Sequence, residues 1–415
     1  MSISDNNVYD IRFLDRLYFN LPKNYLIYGS RHDVSGSICV IIYLYYPDSL
    51  SRFHDYINNA ISTCDVCIIT SNNELYKDAR NAFSECSNVQ VRLKQNRGRD
   101  VAALLVTSKD IFDKYQYICF VHDKKEKASV WKKRTDSWIH TLWDCTLGSE
   151  EYINNIVHLL ETHEDIGLLV PPEMIDMDMV NWYADNWGDD FALTCKLAKA
   201  IGLKTNLDYK KPPIALGTVF WCRSAALKKL WNINWTYESF DKEPLPNDGT
   251  ISHAVERIFP YVVQDAGFKT AMVMTEEENE RILSYAQLGM HSFYKLLSEE
   301  LGVESIDDAL KYHTRAAELK EYYKKHKEIY IYGNGIIGNR YYKLLRHLNI
   351  PVAGIIVSDK KDNRNENGLS VYSISEICKH IINGKCGIVI GVSVLYSSEI
   401  TDILQSYNIN DYLVL

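Results

Sequence analysis

The sequence predicts an α/β protein: a first domain on a predominantly parallel sheet, a helical connector, and a second, smaller α/β domain. Apolar runs of strand length alternate with helical patterns over residues 37–123, and this alternation is typical of a parallel sheet with helices on both faces. A strand, a glycine-rich turn, a helix and another strand follow one another again at 328–359. We therefore predict domains at 1–275 and 328–415, with the connector at 276–327.

The strands of the first domain are recognised in order by their apolar runs. They are SICVIIYLYY, DVCIITSN, VQVRL and YICFVHD, at 37–46, 65–72, 89–93 and 117–123. Helical patterns separate them, and the pattern after the third strand predicts a helix over 100–112. Ligands of such sheets bind beyond the carboxyl ends of the strands. We therefore expect a site at the strand tails, which are Tyr46 and Pro47, Ser71 and Asn72, Asn96 to Asp100, and His122 to Lys125.

Other parts of the chain carry weaker patterns. The first 35 residues are polar and rich in tyrosine without a clear period, and the segment 150–275 is less regular than the strands before it. A long helical region follows, and it ends in the charge run KEYYKKHK. Charge runs are usually solvated, so we interpret this one as the exposed face of the connector.

Composition narrows the class of function. The formal charge of -8 and the pI of about 5.9 argue against nucleic acid as a partner, because proteins that track phosphates usually carry a basic surface. No apolar run is long enough to span a bilayer, and MSISDNNVYD lacks the regions of a signal peptide. Ten scattered cysteines do not suggest a disulfide framework. These features predict a cytoplasmic protein.

A C-x-x-C pair, Cys64 and Cys67, lies within the second predicted strand. Such a pair can bind a metal or carry out redox chemistry, but a metal site of this type usually needs a second pair. The sequence has no second pair nearby, so we interpret CDVCIIT as an ordinary buried strand.

The segment NRGRD, at 96–100, joins the third strand to a helix. Gly98 lets the backbone come close to a ligand or adopt a positive φ, and Arg97 and Arg99 can bind phosphate with their forked guanidinium groups. Asp100 can cap the helix, whose N-terminus also favours an anion. The alternative is a capped turn with two solvated arginines.

The fourth strand ends in His122, Asp123, Lys124 and Lys125. An acid at this point can hold a divalent cation that bridges a diphosphate, while the two lysines can neutralise the same diphosphate without a metal. Both interpretations predict a phosphate site. The alternative is a strand that simply ends in polar residues.

A third group of polar residues lies in NDGTISHAVER, at 247–257. Asp248 precedes a glycine turn, and Thr250 or Ser252 can cap the helix that follows. His253 and Glu256 share a face of that helix and could hold a metal, although one pair supplies only two ligands. A carboxylate here could instead be the general base that activates a hydroxyl nucleophile.

These segments, taken in order, resemble the rhamnan synthesis protein F family of bacterial polysaccharide-synthesis glycosyltransferases. The resemblance covers roughly residues 35–270. It rests on NRGRDVAALL, YICFVHDKKEK followed by WKKRTDSW, LLVPPE, GTVFWCRSAAL and NDGTISHAVERIFPYVVQDAG. It implies a GT-A-like, nucleotide-sugar-binding fold for the first domain. GT-A enzymes usually carry a D-x-D metal motif at the fourth-strand tail, whereas this chain has His122-Asp123-Lys124 with one acid.

The reaction that the resemblance implies is inverting transfer of a sugar, with L-rhamnose from a dTDP donor as the expected case, onto a growing surface polysaccharide. The expected partners are a nucleotide-sugar donor and a glycan or lipid-linked glycan acceptor, with no nucleic acid and with peripheral contact at the inner face of the membrane. The main electrostatic task is to stabilise charge on the leaving diphosphate. The residues expected there are Asn96, Arg97, Gly98, Arg99, Asp100, His122, Asp123, Lys124 and Lys125.

The remaining roles follow from the same resemblance. Asp123 would hold Mn²⁺ or Mg²⁺ if a metal is used, and the lysines would replace the metal otherwise. Asp248 is the first choice for the base that deprotonates the acceptor, and Glu256 is the second. Trp221 or Trp182 is expected to stack on a sugar ring, although a buried tryptophan is as often part of a core.

The second domain carries YGNGIIG, which fits G-x-G-x-x-G at Gly333, Gly335 and Gly338. The motif follows a strand and opens a helix, and Asp359 ends the next strand, which is the context of a dinucleotide or nucleotide site. This Rossmann-like domain is therefore expected to bind NAD or another nucleotide. The alternative is an interaction module in which glycine allows tight packing between helix and strand.

Two other functions remain open from the sequence. A sugar-nucleotide oxidoreductase or epimerase would be centred on residues 333–359, and bound nicotinamide would favour it. A non-catalytic scaffold for polysaccharide assembly would fit a domain that has lost its second acid beside His122, and donor hydrolysis would exclude it.

Overall fold

The computed structural model describes residues 17–27, 37–125, 132–172, 187–210, 217–246, 248–303, 306–360 and 367–415. The chain divides into two compact units, residues 1–285 and 286–415. Within the part of the chain that is described, no helix has both the length and the apolar character that crossing a bilayer requires.

Eight of the described strands form the sheet of the first unit. They are β1 (Leu17–Leu21), β2 (Ile38–Leu44), β3 (Asp65–Thr70), β4 (Val89–Leu93), β5 (Tyr117–His122), β6 (Ile166–Val170), β7 (Phe220–Arg223) and β8 (Lys269–Thr275). Their order across the sheet is β1-β8-β6-β7-β5-β2-β3-β4. Neighbours run parallel, except that β7 is antiparallel to β5 and β6. The predicted predominantly parallel sheet is confirmed.

Burial explains why some strands were easier than others to recognise from their apolar runs. Every residue of β2, β5 and β6 is buried, whereas the edge strand β4 has only partly buried and exposed residues. Strand β1 forms the opposite edge, parallel to β8. It lies in the segment that showed no clear period, because only one of its five residues is buried.

The helices of the first unit cover this sheet. They are α1 (Ser49–Arg52), α2 (His54–Ile61), α3 (Asn73–Ala82), α4 (Arg99–Ala102), α5 (Lys132–Leu147), α6 (Glu150–Thr162), α7 (Phe191–Ala200), α8 (Lys228–Trp231) and α9 (Ile251–Asp265). Asn72, at a predicted strand tail, is the N-cap of α3 and accepts hydrogen bonds from the N–H groups of Glu74 and Leu75.

The helix predicted over 100–112 is not continuous. After α4 the backbone forms a π-helical turn at Ala103–Thr107 and a 3₁₀ turn at Lys109–Ile111. The Ser108 hydroxyl donates to the carbonyl oxygens of Ala103 and Leu104, at 3.0 and 2.7 Å. This side chain occupies acceptors that a regular helix would use, and such π turns are frequent near functional sites.

Apolar side chains pack on both faces of the sheet. Alternate residues of β2 join two different clusters, with Ile41 in one and Ile42 in the other, as expected for a strand buried on both sides. Trp221 lies in the second cluster, fully buried, and its indole N–H donates to the Thr146 carbonyl at 3.1 Å. The expectation that Trp221 stacks on a sugar is therefore wrong, and Trp182 lies outside the described residues.

The second unit contains another parallel sheet. Its strands are β9 (Ile329–Tyr332), β10 (Val352–Val357), β11 (Val371–Ser373), β12 (Gly387–Ile390) and β13 (Tyr412–Val414), in the order β11-β10-β9-β12-β13. The other helices in the described part of the chain are α10 (Glu276–Leu301), α11 (Ile306–Lys324), α12 (Ile336–His347), α13 (Ile374–Gly384) and α14 (Val394–Ser406). The predicted helical stretch and second α/β unit are confirmed.

Two of the three motif glycines allow close packing between β9 and α12. A Cβ at Gly338 would lie 2.0 Å from the Gly333 carbonyl oxygen, and a Cβ at Gly333, which has a φ of +124°, would lie 2.4 Å from the Gly391 oxygen. Among the described residues, leaving aside its own neighbours in the chain, no heavy atom lies within 4 Å of the Cβ position at Gly335. Packing thus accounts for the first and third glycines and leaves the second open to a ligand.

Gly338→Ala should destabilise the second unit by about 1–3 kcal/mol, because backbone atoms must move to admit the new Cβ. Gly335→Ala is the matched control, and we expect a change within about 0.5 kcal/mol because its Cβ enters open space. Urea unfolding measures the difference, and hydrogen exchange of the β9 and β12 amides locates it. Equal losses in the two variants would contradict this account of the motif.

Candidate functional site

Asp123 follows β5 and joins it to the tail of β2. Its Oδ2 accepts hydrogen bonds from the N–H groups of Tyr45 and Tyr46, at 2.8 and 2.9 Å, and from the Ser49 hydroxyl. Its other oxygen, Oδ1, is buried and has no hydrogen-bond partner among the described residues. The carboxylate thus connects two strand tails through Oδ2, while Oδ1 remains available to a ligand.

Burial raises the pKa of the Asp123 carboxyl above its usual range, and the hydrogen bonds from Ser49, Tyr46 and Tyr45 act in the opposite direction. Leaving a buried carboxylate oxygen unpaired costs free energy unless a cation or a donor satisfies it. Oδ1 is therefore the atom that would hold a divalent cation such as Mg²⁺ or Mn²⁺, since these ions prefer oxygen ligands.

His122 is a positioning group in this structure. Its Nδ1 contacts the Asp123 carbonyl oxygen at 2.8 Å and its Nε2 contacts the Gly217 carbonyl oxygen at 2.6 Å. Asp100 lies nearby, with its Oδ2 3.8 Å from Nε2. The ring therefore has a polar contact at each of its two nitrogens.

The two lysines predicted at this tail lie over aromatic rings. Lys124 Nζ is 4.2 Å from the centre of the Trp138 ring. Lys125 Nζ is 5.1 Å from the centre of the Tyr46 ring and pairs with Asp48. Lys125 thus lies beside Tyr46, whose N–H donates to Asp123, and Lys124 lies against a tryptophan of α5.

The NRGRD segment folds as a tight turn. Gly98 has a φ of +68°, and a Cβ there would lie 2.6 Å from the Phe240 ring. Arg97 donates to the Phe240 carbonyl at 2.9 and 2.7 Å. Arg99 pairs with Glu243 at 3.0 Å, and Asn96 is exposed. In this structure both arginines hold the chain around residue 240, and their binding of a diphosphate stays a prediction.

Lys94, directly after β4, was not assigned a role from the sequence. The side chain is buried, and its Nζ donates to the carbonyl oxygens of Gln95 and Arg97, at 2.7 and 3.1 Å. It also lies 5.1 Å from the centre of the Tyr43 ring. Burial lowers the pKa of Lys94 to about 8. Its position could have been noticed in the sequence, because Lys94 is the first residue after a strand and lies in the same segment as Arg97.

A second acidic group forms where two loops bond to each other. Asp190 Oδ1 accepts from the Gly249 N–H at 3.1 Å, and Asp248 Oδ2 accepts from the Asp189 N–H at 3.0 Å. These two hydrogen bonds between the loops favour a glycine at position 188. Gly188 has a φ of +56°, and a Cβ there would lie 2.2 Å from Asp248 Oδ2. Asp190 was missed from the sequence, since nothing in WGDD indicates its partner 58 residues later.

The two carboxyl groups differ in protonation. Burial, a hydrogen bond with Asp248 and the charge of Asp248 together raise the pKa of Asp190 to about 7, although Arg257 opposes them. Burial also acts to raise the pKa of Asp248, but hydrogen bonds from the Asp189 N–H and from Asp190 bring it below its usual value. Asp190 therefore holds the shared proton, and Asp248 stays ionised.

Thr250 is the N-cap of α9, as predicted, and forms a capping box with His253. His253 Nδ1 accepts from the Thr250 N–H at 3.3 Å. Ligand atoms of His253, Asp190 and Asp248 lie within 4.8 Å of one another. Glu256 is engaged elsewhere: its Oε2 accepts from the Thr218 hydroxyl at 3.2 Å and its Oε1 from Arg257 at 2.9 Å.

The strand-tail group and the second acidic group are connected. Gly217, which accepts from His122, is followed by Thr218, which donates to Glu256. Arg257, next in the chain, lies with its Nε 3.4 Å from Asp190 Oδ2. A continuous set of polar contacts therefore runs from Asp123 and His122 to the Asp190–Asp248 pair.

These features define the first unit as an α/β protein with a polar site at the carboxyl edge of its sheet. Residues 3–268 match the rhamnan synthesis protein F family, and the chain belongs to that family. Two relatives, both described as uncharacterized protein WxcX, come from strains B100 and ATCC 33913 of Xanthomonas campestris pv. campestris. Each is 24% identical over 240 residues, or 58% of this chain. The chain spans about a third of their length, since the match covers 33% of each.

Among solved structures, S. aureus TarS 1–349 matches with a TM-score of 0.29 and 11% identity, over 68% of this chain and 79% of that one. The same protein in complex with UDP matches with a TM-score of 0.28 and 12% identity, over 69% and 72%. At these TM-scores the likeness carries no information about the ligands of this chain.

Asp190→Asn should change the pH dependence of stability. A folded-state pKa of about 7 means that Asp190 binds its proton more tightly in the folded than in the unfolded chain, so its contribution is lost as pH rises towards and through 7. Asparagine cannot titrate. The free energy of unfolding of the wild type, relative to the variant, should therefore fall by on the order of 2 kcal/mol from pH 5 to pH 8 in urea unfolding.

Asp265→Asn is the matched control. A hydrogen bond from Lys229 lowers the pKa of Asp265, so its contribution to stability is lost only as pH falls below the ordinary carboxyl range. The loss in this variant should be constant from pH 5 to pH 8. A constant difference for Asp190→Asn over the same interval would show that Asp190 is ionised throughout.

Proposed function

We propose that this chain is a glycosyltransferase that takes a sugar from a nucleotide-sugar donor and adds it to a growing bacterial surface polysaccharide. Membership of the rhamnan synthesis protein F family supports the reaction class. The observation that carries the proposal is the buried Oδ1 of Asp123 at the carboxyl edge of the sheet, which has no hydrogen-bond partner among the described residues. Polar contacts connect this carboxylate to the ionised one of Asp248.

The donor is expected to bind at the tails of β2, β4 and β5. Departure of a nucleoside diphosphate builds negative charge, which positioned cations stabilise more effectively in a partly buried site than in water. Asp123 Oδ1 is the atom that would hold a divalent metal, and such an ion would supply positive charge to the diphosphate. Lys124 and Lys125 lie at the same tail and would contribute charge with or without a metal.

The acceptor hydroxyl must lose its proton as it attacks the anomeric carbon. Asp248 is better suited than Glu256 to accept that proton, because it is ionised and about one third of its side chain is exposed, whereas both oxygens of Glu256 are bonded to neighbouring side chains. In an inverting transfer this base and the leaving group act on opposite faces of the sugar. The proposed donor sugar is L-rhamnose, carried on dTDP.

The acceptor in this proposal is a glycan or lipid-linked glycan. A cytoplasmic enzyme would reach such an acceptor by peripheral contact with the inner face of the membrane. A nucleotide site in the second unit is a separate proposal. It is supported by the open space at Gly335, which follows a strand and directly precedes α12.

Calorimetry with dTDP, UDP and their sugars, with and without Mn²⁺, tests the donor site. Asp123→Asn keeps an acceptor oxygen for Tyr45 and Tyr46 but removes the charge, and Lys124→Ala removes a cation. Each should weaken binding by about tenfold or more, as loss of a charged contact does. Asp110→Asn, in a surface ion pair with Arg92, is the control and should bind normally. Binding of NAD alone, abolished by Gly335→Val, would overturn the transferase proposal.

Transfer kinetics test the base. Asp248→Asn should lower kcat by about 10²–10⁴-fold and leave donor affinity unchanged, because a general base acts on the acceptor proton and not on the donor. Glu256→Gln should have a smaller effect on kcat. If Glu256→Gln lost activity and Asp248→Asn kept it, the two roles would be exchanged. Donor hydrolysis or transfer by the wild type excludes a non-catalytic scaffold.

A further inference from the structure

Three potential metal ligands meet in the second unit, at the amino edge of its sheet. Glu328 directly precedes β9, Cys386 directly precedes the neighbouring strand β12, and His380 lies in α13. One ligand atom from each of the three lies within 4.8 Å of the others. We call these residues the Glu–His–Cys cluster. It lies outside the residues to which the proposed transferase activity is assigned.

The distances in the cluster approach those of a tetrahedral zinc site. Glu328 Oε2 is 3.0 Å from His380 Nε2 and 3.6 Å from Cys386 Sγ. With Zn–O and Zn–N bonds of about 2.0–2.1 Å and a Zn–S bond of about 2.3 Å, tetrahedral geometry places oxygen about 3.3 Å from nitrogen and about 3.5 Å from sulfur. Two of the three distances between ligand atoms therefore match those of a tetrahedral site within a few tenths of an ångström.

We propose that the Glu–His–Cys cluster is a binding site for a soft divalent cation, with Zn²⁺ as the expected ion. Sulfur, imidazole nitrogen and one carboxylate oxygen form a ligand set that zinc accepts, whereas Mg²⁺ and Ca²⁺ prefer oxygen alone. Three protein ligands leave the fourth position to water. The charges also match, because a carboxylate and a thiolate together neutralise a divalent cation.

The surroundings of the cluster support the ligand roles. The Tyr330 hydroxyl donates to Glu328 Oε2 at 3.1 Å, the kind of outer contact that orients a metal-binding carboxylate. Burial, and then the charge of Glu328, raise the pKa of Cys386 to about 11, so the thiol is protonated without a cation. Metal binding would therefore release that proton to solvent as the Zn–S bond forms. Lys327 is the nearby charge that opposes cation binding.

The cluster is also preformed by regular structure. Its members lie at the starts of two paired strands and in the last turns of a helix, so binding does not require a loop to become ordered. Gly384 keeps the space between them open: a Cβ there would lie 3.0 Å from Cys386 Sγ and 3.9 Å from His380 Nε2. The alternative interpretation is that His380 and Glu328 form an ordinary surface ion pair beside the buried thiol of Cys386.

Titration of the metal-stripped full chain with Co²⁺ tests the proposal, because thiolate and tetrahedral coordination each give a characteristic absorption. We expect a thiolate-to-cobalt charge-transfer band that saturates at one equivalent and that Zn²⁺ bleaches. Cys386→Ser should abolish the band. His380→Gln should keep a weaker band and lower the affinity by about tenfold or more.

Two further variants separate loss of the site from loss of folding. Gly384→Ala leaves all three ligands in place but crowds the space between them, and it should weaken Co²⁺ binding while circular dichroism stays unchanged. Cys378→Ser alters a cysteine of the same helix whose Sγ contacts the Ser375 carbonyl, and it should bind Co²⁺ as the wild type does. Absence of the band in the wild type would overturn the proposal. An undiminished band in Cys386→Ser would also overturn it, because it would show adventitious binding only.

Discussion

The carboxyl edge of the first sheet depends on one buried carboxylate, that of Asp123. Three donors from the chain after β2 converge on Oδ2, so the tails of two neighbouring strands are fixed to each other. A neutral side chain could provide such a tie at lower cost, since burial disfavours the ionised form. The second oxygen has no partner among the described residues, and the proposed donor-site cation would give an acid at this position a function that a neutral side chain lacks.

Polar contacts extend from Asp123 towards the proposed base. His122 has Asp100 beside it and lies next to Asp123, and Arg257 lies between Glu256 and Asp190. The positive charge of Arg257 offsets the repulsion between the two acidic groups that it contacts. In the Asp190–Asp248 pair, one proton removes the repulsion. That proton also leaves the more exposed of the two carboxylates ionised and available to an acceptor.

The sequence predicted those features that depend on local pattern. Fully buried strands such as β2 and β5 give continuous apolar runs, and Thr250 caps α9 by a local rule. Features that depend on distant partners were not predictable. The arginines of NRGRD bond to residues more than 140 positions away, and Asp190 gains its role only from Asp248. The break in the helix after α4 is accompanied by hydrogen bonds from the Thr107 and Ser108 hydroxyls to preceding carbonyl oxygens, which the apolar pattern does not indicate.

The glycine motif of the second unit shows why spacing alone does not define a ligand site. Gly333 and Gly338 meet backbone oxygens that exclude any larger residue, which is a packing requirement independent of ligands. A Cβ at Gly335 would meet no other described residue, so packing within the described part of the chain gives no reason for a glycine there. The open position lies after β9, at the edge where parallel sheets bind ligands. The Glu–His–Cys cluster lies before β9, at the opposite edge, so the two proposed sites would lie at opposite edges of one small sheet.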